Sequence, residues 1–163
     1  MNIQKIPVEI ADNKNTKDFG TLISSNYHPA KYKGNDFRLF LNIAENKFAG
    51  NVSFSIVDSY RSAGNITASL EYHLKTKEAL IPTQSDIVLI LAKPKLETPD
   101  IATARAFRIK QGDAFIIHEG VWHYAPLTEK ESAKTFVVFT STTPYDDVVL
   151  VDLEKEFGRV LGI

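Results

Sequence analysis

The sequence predicts an all-β domain, a sandwich or a jelly-roll barrel. Short runs rich in Val, Ile, Phe and Thr recur along the chain, and turn-forming residues separate them at nearly regular spacing. Helical signals are scarce, and a length of 163 residues suits one domain with its own core. We therefore expect a single domain over residues 1–163, with about eight to ten strands and a barrel core over about residues 36–145.

Eight segments have the composition of strands, and breaks such as Lys33-Gly34-Asn35 and Gln111-Gly112-Asp113 separate them. The predicted strands are Phe37–Leu41, Val52–Val57, Ile66–His73, Glu78–Pro82, Ile87–Ala92, Ala104–Ile109, Ala114–His118 and Thr135–Ser141.

Two short segments carry helix signals at the ends of the chain. Asn15 to Phe19 could form one short helix, which Gly20 would weaken or end. Asp152–Phe157 could form a last helical turn, with Gly158 as its stop.

Composition excludes several classes of function. The formal net charge is −1, so no overall field favours nucleic acid or a membrane surface. The longest apolar run, Ile87–Ala92, is far too short to span a bilayer, and the N-terminal stretch has no apolar signal-peptide region. The chain has no cysteine, which excludes disulfides and thiolate chemistry and fits a reducing compartment. We expect a cytoplasmic protein that binds neither nucleic acid nor membrane.

The segment LEYHLKTKEALIP places three candidate metal ligands close together. Glu71 and His73 are two apart on a predicted strand, so they share one face, roughly 7 Å apart. A polar turn follows, and Glu78 opens the next strand, about 5 Å away if the two strands pair. Taken alone, Glu71 and Glu78 are as readily interpreted as solvated surface carboxylates as metal ligands. Together with His73 they suit a divalent metal such as Mn, Fe, Ni, Co or Zn.

A second segment, GDAFIIHEGVWHYAP, supplies further candidates. Ile116 and His118 alternate with Phe115 and Ile117 along a strand, and after a Glu-Gly turn the chain reaches His123. His118 is about as readily a structural histidine as a site residue.

The two segments together resemble the cupin superfamily of two-motif β-barrels. That family carries H-x-H, three or four residues and E, and one further His from a later strand. This chain has E-x-H-x₄-E and then G-D-x₈-G-x-x-H, with Glu71 in place of the first His. The resemblance implies a cupin-type double-stranded β-helix with one or two short flanking helices, and a metal site at Glu71, His73, Glu78 and His123.

Within that superfamily, the runs LEYH…EALIP, PDIATARAF and IIHEGVWHYAP resemble the ureidoglycolate lyase family, over about Val52 to Val138. The chain lacks the polar pair, such as Asp-Arg, that the family often has after the strand ending at Phe139–Thr143. It also has Tyr124 where many members have a second His after V-W-H. The resemblance implies cleavage of ureidoglycolate to glyoxylate and urea in purine catabolism.

That chemistry needs a base for the hydroxyl proton, an acid for the urea nitrogen and a cation for the carboxylate. We expect a divalent ion on His73, Glu78 and His123, with Glu71 as fourth ligand or general base. His118 is the candidate acid because imidazole titrates near neutrality. Arg105, on a strand face with Phe107, could hold a carboxylate or form a salt bridge at the rim.

Trp122 and Tyr124 are expected to wall the pocket mouth, and for Trp122 either core packing or the pocket wall is a commoner role than direct ligand contact. Two alternatives stay open: a metal-dependent enzyme on another small hydroxy acid or sugar derivative, and a cupin that binds a small ligand without turnover. The family also implies a homodimer.

Overall fold

The computed structural model describes residues 2–163, and it shows a mostly β fold with two short helices. In chain order the elements are β1 (Ile3–Lys5), β2 (Val8–Ile10), β3 (Gly20–Ile23), β4 (Tyr32–Lys33), β5 (Arg38–Leu39), β6 (Val52–Tyr60), β7 (Ile66–Thr67), β8 (Ser69–Tyr72), β9 (Glu78–Pro82), β10 (Ile87–Lys95), β11 (Thr98–Ile109), β12 (Ala114–Ile117), β13 (Ser132–Thr140), α1 (Thr143–Asp146), β14 (Val149–Asp152), α2 (Leu153–Phe157) and β15 (Val160–Gly162).

Two sheets form the body of the domain. The first, called sheet I, is antiparallel with the strand order β3-β12-β9-β13-β6. The second, called sheet II, contains β2-β11-β10 and continues through the segment 122–127, which bridges β10 at Ala92 and Val88. Glu71 of β8 bridges His123 of the same segment, and β14 pairs with β8 at the far edge.

The alternation of side chains along β10 separates two hydrophobic cores. Ile87, Leu89 and Leu91 belong to a core shared with Leu80 and Phe115 of sheet I, so this core fills the space between the sheets. Val88, Ile90 and Ala92 point the other way. They pack in a second core whose further members include Leu70, Trp122, Leu153 and Leu161. The arrangement agrees with the expected cupin-type barrel.

Most predicted strands are confirmed, with shifted ends. Glu78–Pro82 agrees to the residue. Ile66–His73 is split at Ala68, because Thr67 pairs with β15 whereas the next strand pairs with β14. The expectation for Phe37–Leu41 was largely wrong: only Arg38–Leu39 is extended, in an exposed two-stranded hairpin with Tyr32–Lys33.

The N-terminal helix expected from Asn15 to Phe19 is absent. The Asn15 side chain accepts from the backbone of Asp12, whose carboxylate in turn accepts from the backbones of Lys14 and Asn15, so the segment forms turns leading into β3. The C-terminal helix is confirmed. Asp152 caps it by accepting from Lys155 N at 3.0 Å, and Gly158 ends it with φ of 65°.

Across residues 2–163, no helix is both long enough and apolar enough to cross a membrane.

Candidate metal centre

Three of the predicted ligands meet at one point between the two sheets. One ligand atom each of Glu71, His73 and His123 lies within 4.8 Å of the other two, a spacing that could hold a metal ion. Both histidines are buried, and Glu71 is half-buried.

Strand alternation brings these side chains to the inner face. Leu70 and Tyr72 of β8 pack in the second core, so Glu71 and His73 point to the opposite side, toward sheet I. His123 reaches the same face because its backbone pairs with Glu71 through bonds of 2.6 and 2.8 Å. Gly120, with φ of 77°, makes the turn that carries the chain from sheet I to this position in sheet II.

Backbone carbonyls orient both imidazole rings. The Nδ1 atom of His73 lies 2.6 Å from the carbonyl oxygen of Asp147, and that of His123 lies 2.8 Å from the carbonyl of Val121. A ring that donates from Nδ1 keeps its Nε2 lone pair for a metal, which is how ligating histidines are usually held. The Nε2 atom of His123 is buried and has no hydrogen-bond partner among residues 2–163. This donor set therefore fits a divalent cation.

Glu78 completes the cluster from sheet I. Its Oε2 lies 3.2 Å from Nε2 of His73 and 3.7 Å from Nε2 of His123. Burial alone would raise the pKa of Glu78, but the adjacent imidazoles of His123 and His73 lower that pKa to about 2. Glu78 is therefore ionised across the physiological range.

Glu71 has a different environment from Glu78. Burial raises the pKa of Glu71 above its ordinary value, although the nearby histidines oppose the shift. Its carboxylate makes no hydrogen bond to any group among residues 2–163. Burial lowers the pKa of His73, but its hydrogen bonds to Glu78 and to the Asp147 carbonyl raise that pKa by a larger amount. The net shift is therefore upward.

Asp147 supports His73 through both its backbone and its side chain. Besides the carbonyl bond to the ring, its carboxylate accepts from the backbone N–H groups of Leu74 at 2.9 Å and Lys75 at 2.8 Å. Sequence reasoning missed this role, because the Asp146-Asp147 pair alone looks like a turn or a helix N-terminus. Only the fold places it beside residues so distant in the chain.

A cavity of about 290 Å³ opens beside the cluster. Glu71 and Glu78 form its polar wall, and Tyr124 lies at its edge. No Lys or Arg is among its lining residues, which are otherwise small or apolar: Ser55, Val57, Leu80, Ala125, Pro126, Val137 and Phe139. The sequence reasoning included Tyr124 but missed the contributions of β6 and β13, which carry no distinctive motif.

His118, the predicted acid, does not join the cluster. Ile117 lies opposite Glu78 in the pairing of β12 with β9 and shares its inner face, so the next residue points outward. The ring of His118 lies 3.3 Å from the Thr21 hydroxyl, in a separate surface cavity with His28. Burial and the nearby Lys77 lower its pKa.

Arg105, the predicted carboxylate clamp, also lies outside the cluster. It shares a face with Phe107, as predicted, and its guanidinium lies 4.8 Å from that ring. The guanidinium forms a two-point ion pair with Glu9, one bond of which is 2.8 Å, and donates to Asn15 O at 2.9 Å. Leu91 of β10 pairs with Arg105 on one side and adjoins the segment of His123 on the other. The backbones of Arg105 and His123 are therefore roughly two strand spacings apart, about 10 Å.

Trp122 is fully buried in the second core, with its ring centroid 4.6 Å from that of Tyr72. It therefore packs beneath the site rather than lining the pocket mouth.

The two facing sheets and the inner cluster define a cupin-type barrel with a candidate mononuclear metal centre. The family model for ureidoglycolate lyase matches residues 3–158, and the chain belongs to the ureidoglycolate lyase family, a family of carbon–nitrogen lyases. A comparison with curated proteins found no significant match.

Solved structures with a similar arrangement include a dTDP sugar isomerase from Desulfovibrio desulfuricans G20, at 16% identity, TM-score 0.45, and coverage of 74% of this chain and 75% of that one. An oxalate decarboxylase from Lactobacillus farciminis is 18% identical, with TM-score 0.45, covering 77% of this chain and 40% of that one. Peruvianin-I, a cysteine peptidase from Thevetia peruviana latex, is 13% identical, with TM-score 0.41, covering 90% of this chain and 96% of that one.

Proposed function

We propose that this protein is a metal-dependent ureidoglycolate lyase, which cleaves ureidoglycolate to glyoxylate and urea. The observation that carries the proposal is the convergence of two imidazoles and two carboxylates at the wall of a small cavity, in a chain of this family. A volume of about 290 Å³ suits a small substrate rather than a nucleotide sugar.

His73, His123 and Glu78 are the proposed ligands of a divalent ion of Ni, Mn, Fe or Zn. The Nε2 atoms of both rings and Oε2 of Glu78 lie close together, and the carbonyl bonds at Nδ1 hold the rings in place. When bound, such an ion supplies a positive charge that binds a substrate carboxylate and acidifies a neighbouring hydroxyl. The lining residues contain no other cation for that carboxylate, since Arg105 pairs with Glu9.

Glu71 is the proposed general base. Its carboxylate faces the cavity and has no hydrogen bond within residues 2–163, whereas that of Glu78 is hydrogen-bonded to His73 and lies 3.7 Å from Nε2 of His123. Glu71 takes the proton of the substrate hydroxyl, the C–O bond becomes a carbonyl, and the C–N bond breaks with its electron pair moving to nitrogen. Protonated Glu71 then returns the proton to that nitrogen, which releases urea and glyoxylate.

Urea release from ureidoglycolate by metal-loaded protein tests this proposal, together with Glu71→Gln. We expect release by the wild type and a loss of about 10²–10⁴-fold in kcat for the variant, with metal content unchanged. Loss of metal in Glu71→Gln would instead make Glu71 a ligand. His118→Ala is the matched control and should keep the activity. No urea release by metal-loaded wild type would contradict the proposal and favour another hydroxy acid, a sugar derivative or ligand binding without turnover.

The proposal includes a cytoplasmic location and a homodimeric state. The cysteine-free sequence fits a reducing compartment. Fractionation of cells that express the full chain tests the location.

A further inference from the structure

A second cavity, of about 240 Å³, lies on the outside of sheet I, between the segments that flank β3 and the end of β12. We call it the outer cavity. Among the described residues that line it, Lys17 is the one cation and no side chain is a carboxylate. The other polar side chains of the lining are hydroxyls, an amide and two imidazoles: Thr16, Thr21, Asn13, His28 and His118.

The strand register brings Thr21 and His118 together at this cavity. Thr21 lies opposite Ile116, so its side chain shares the outer face with that of His118, two residues further along β12. The Thr21 hydroxyl lies 3.3 Å from Nε2 of His118. If the hydroxyl donates to a neutral ring, Nδ1 carries the ring hydrogen; if the ring donates, the hydroxyl hydrogen is left. In either case the pair keeps one hydrogen for a further acceptor.

Hydrogen bonds hold the loops that form the rest of the outer cavity. The Nδ1 atom of His28 lies 2.8 Å from the carbonyl oxygen of Ser24, which can only accept, so Nδ1 carries the ring hydrogen. In the neutral ring, Nε2 accepts from the Asn13 amide at 3.3 Å. The buried Thr16 hydroxyl donates to the carbonyl of Asp12 at 2.6 Å. The cavity walls are therefore preorganised, which lowers the entropic cost of binding a ligand.

Positive charge predominates around the outer cavity. Lys17 lines it. Burial lowers the pKa of His118, and the positive charge of nearby Lys77 lowers it further, while Glu119 opposes the shift. Asp18, next to Lys17 in sequence, forms an ion pair of 2.7 Å with a lysine of β10. Two ammonium groups against one carboxylate favour an anion and disfavour a divalent cation.

We propose that the outer cavity binds a small oxyanion, either the carboxylate of an organic acid or inorganic phosphate. Lys17 supplies the opposite charge, and the pair of Thr21 and His118 donates a hydrogen bond. Carboxylate and phosphate oxygens accept strongly from such donors. A volume of about 240 Å³ suits an ion of this size rather than a nucleotide. The proposal does not depend on the proposed reaction, because the metal cluster lies on the other side of sheet I.

The ring signals of the four histidines test this proposal, when they are followed by NMR in the full chain as phosphate or acetate is added at constant pH and ionic strength. His28 and His118 report on the outer cavity, and His73 and His123 report on the metal cluster. We expect the signals of His28 and His118 to shift and to saturate. The anion that binds more tightly identifies the ligand as a phosphate or a carboxylate.

Substitutions of two lysines in the same loop separate a site from general attraction of anions. Lys17→Gln should weaken binding about tenfold, because it removes the cation of the lining. Lys14→Gln is the matched control: Lys14 is also exposed and loses the same charge, but it lies outside the lining, so the affinity should not change. Thr21→Val removes the hydroxyl at nearly constant volume and should weaken binding about fivefold.

Three results would overturn the proposal. The first is no shift of His28 and His118 with either anion. The second is a shift of all four histidines that grows without saturation, which indicates general attraction of anions. The third is an equal loss of affinity in Lys14→Gln and Lys17→Gln.

Discussion

His118 and His123 lie on either side of the Gly120 turn and end on opposite sides of the barrel wall. His123 enters sheet II, where it meets His73, Glu71 and Glu78, and its buried Nε2 has no hydrogen-bond partner in the described part of the chain. His118 ends β12 on the outside of sheet I, beside the Thr21 hydroxyl. The strand face on which a histidine lies, rather than its residue type or its position in sequence, therefore decides whether it can bind a metal in the barrel.

Alanine substitutions at the two positions should have the most different effects. His123→Ala removes a proposed buried ligand, so the metal content should fall from about one ion per chain to near zero, and urea release should fall at least about a hundredfold. His118→Ala should change neither. Elemental analysis of the two purified variants measures their metal content. Metal loss in His118→Ala would show that residues on the outer side of the barrel also contribute to metal binding.

Asp147 offers a second test of the inner cluster, because it contacts His73 and not His118. Asp147→Asn leaves one of the N–H groups of Leu74 and Lys75 without its acceptor, which loosens the carbonyl that orients His73. Metal affinity should fall about 10-fold or more. Asp146→Asn is the control, since its exposed carboxylate forms an ion pair with Lys75 at 3.5 Å. Equal metal dissociation constants for the two variants would contradict a supporting role for Asp147.

The pH dependence of stability should also reflect the inner cluster. The pKa of Glu78 is lowered to about 2 from an ordinary 4.5, so the unfolded chain binds its proton first as the pH falls. The stabilisation by Glu78 is complete above about pH 4.5 and is lost between there and about pH 2. Urea denaturation of metal-free protein across this range should show a falling free energy of unfolding. In Glu78→Gln the free energy of unfolding should fall less steeply with decreasing pH. An unchanged slope would contradict the assigned environment of Glu78.

Breaking the ion pair of Arg105 with Glu9 should have the smallest effect on stability and activity. Its ion pair with Glu9 lies at a surface where both side chains are 38% exposed, so Glu9→Gln should cost less than about 1 kcal/mol. The Arg105 hydrogen bond lowers the pKa of Glu9, so this contribution is present above the ordinary pKa of Glu and is lost as the pH falls. Metal content and kcat should not change. A fall in kcat for Glu9→Gln would restore a role for Arg105 in the reaction.

The sequence predicted the all-β class and the grouping of Glu71, His73 and Glu78, because both depend on local alternation, whereas His123 was added by the resemblance to the cupin superfamily. Glu71 and His73 share a face by their spacing, and the polar turn after them brings Glu78 to the next strand. The positions of His118 and Arg105 depended on which side of a strand faced the barrel. For Arg105 the predicted face was right, but Glu9, on a strand far away in sequence, binds the guanidinium instead.

Titration of metal-free protein with a divalent ion, with urea release from ureidoglycolate measured at each step, tests the central claim most directly. We predict no release before metal is added, and a rise that ends at about one ion per chain, as expected for a single centre at His73, Glu78 and His123. Urea release that is equally fast in fully metal-free protein would contradict the account.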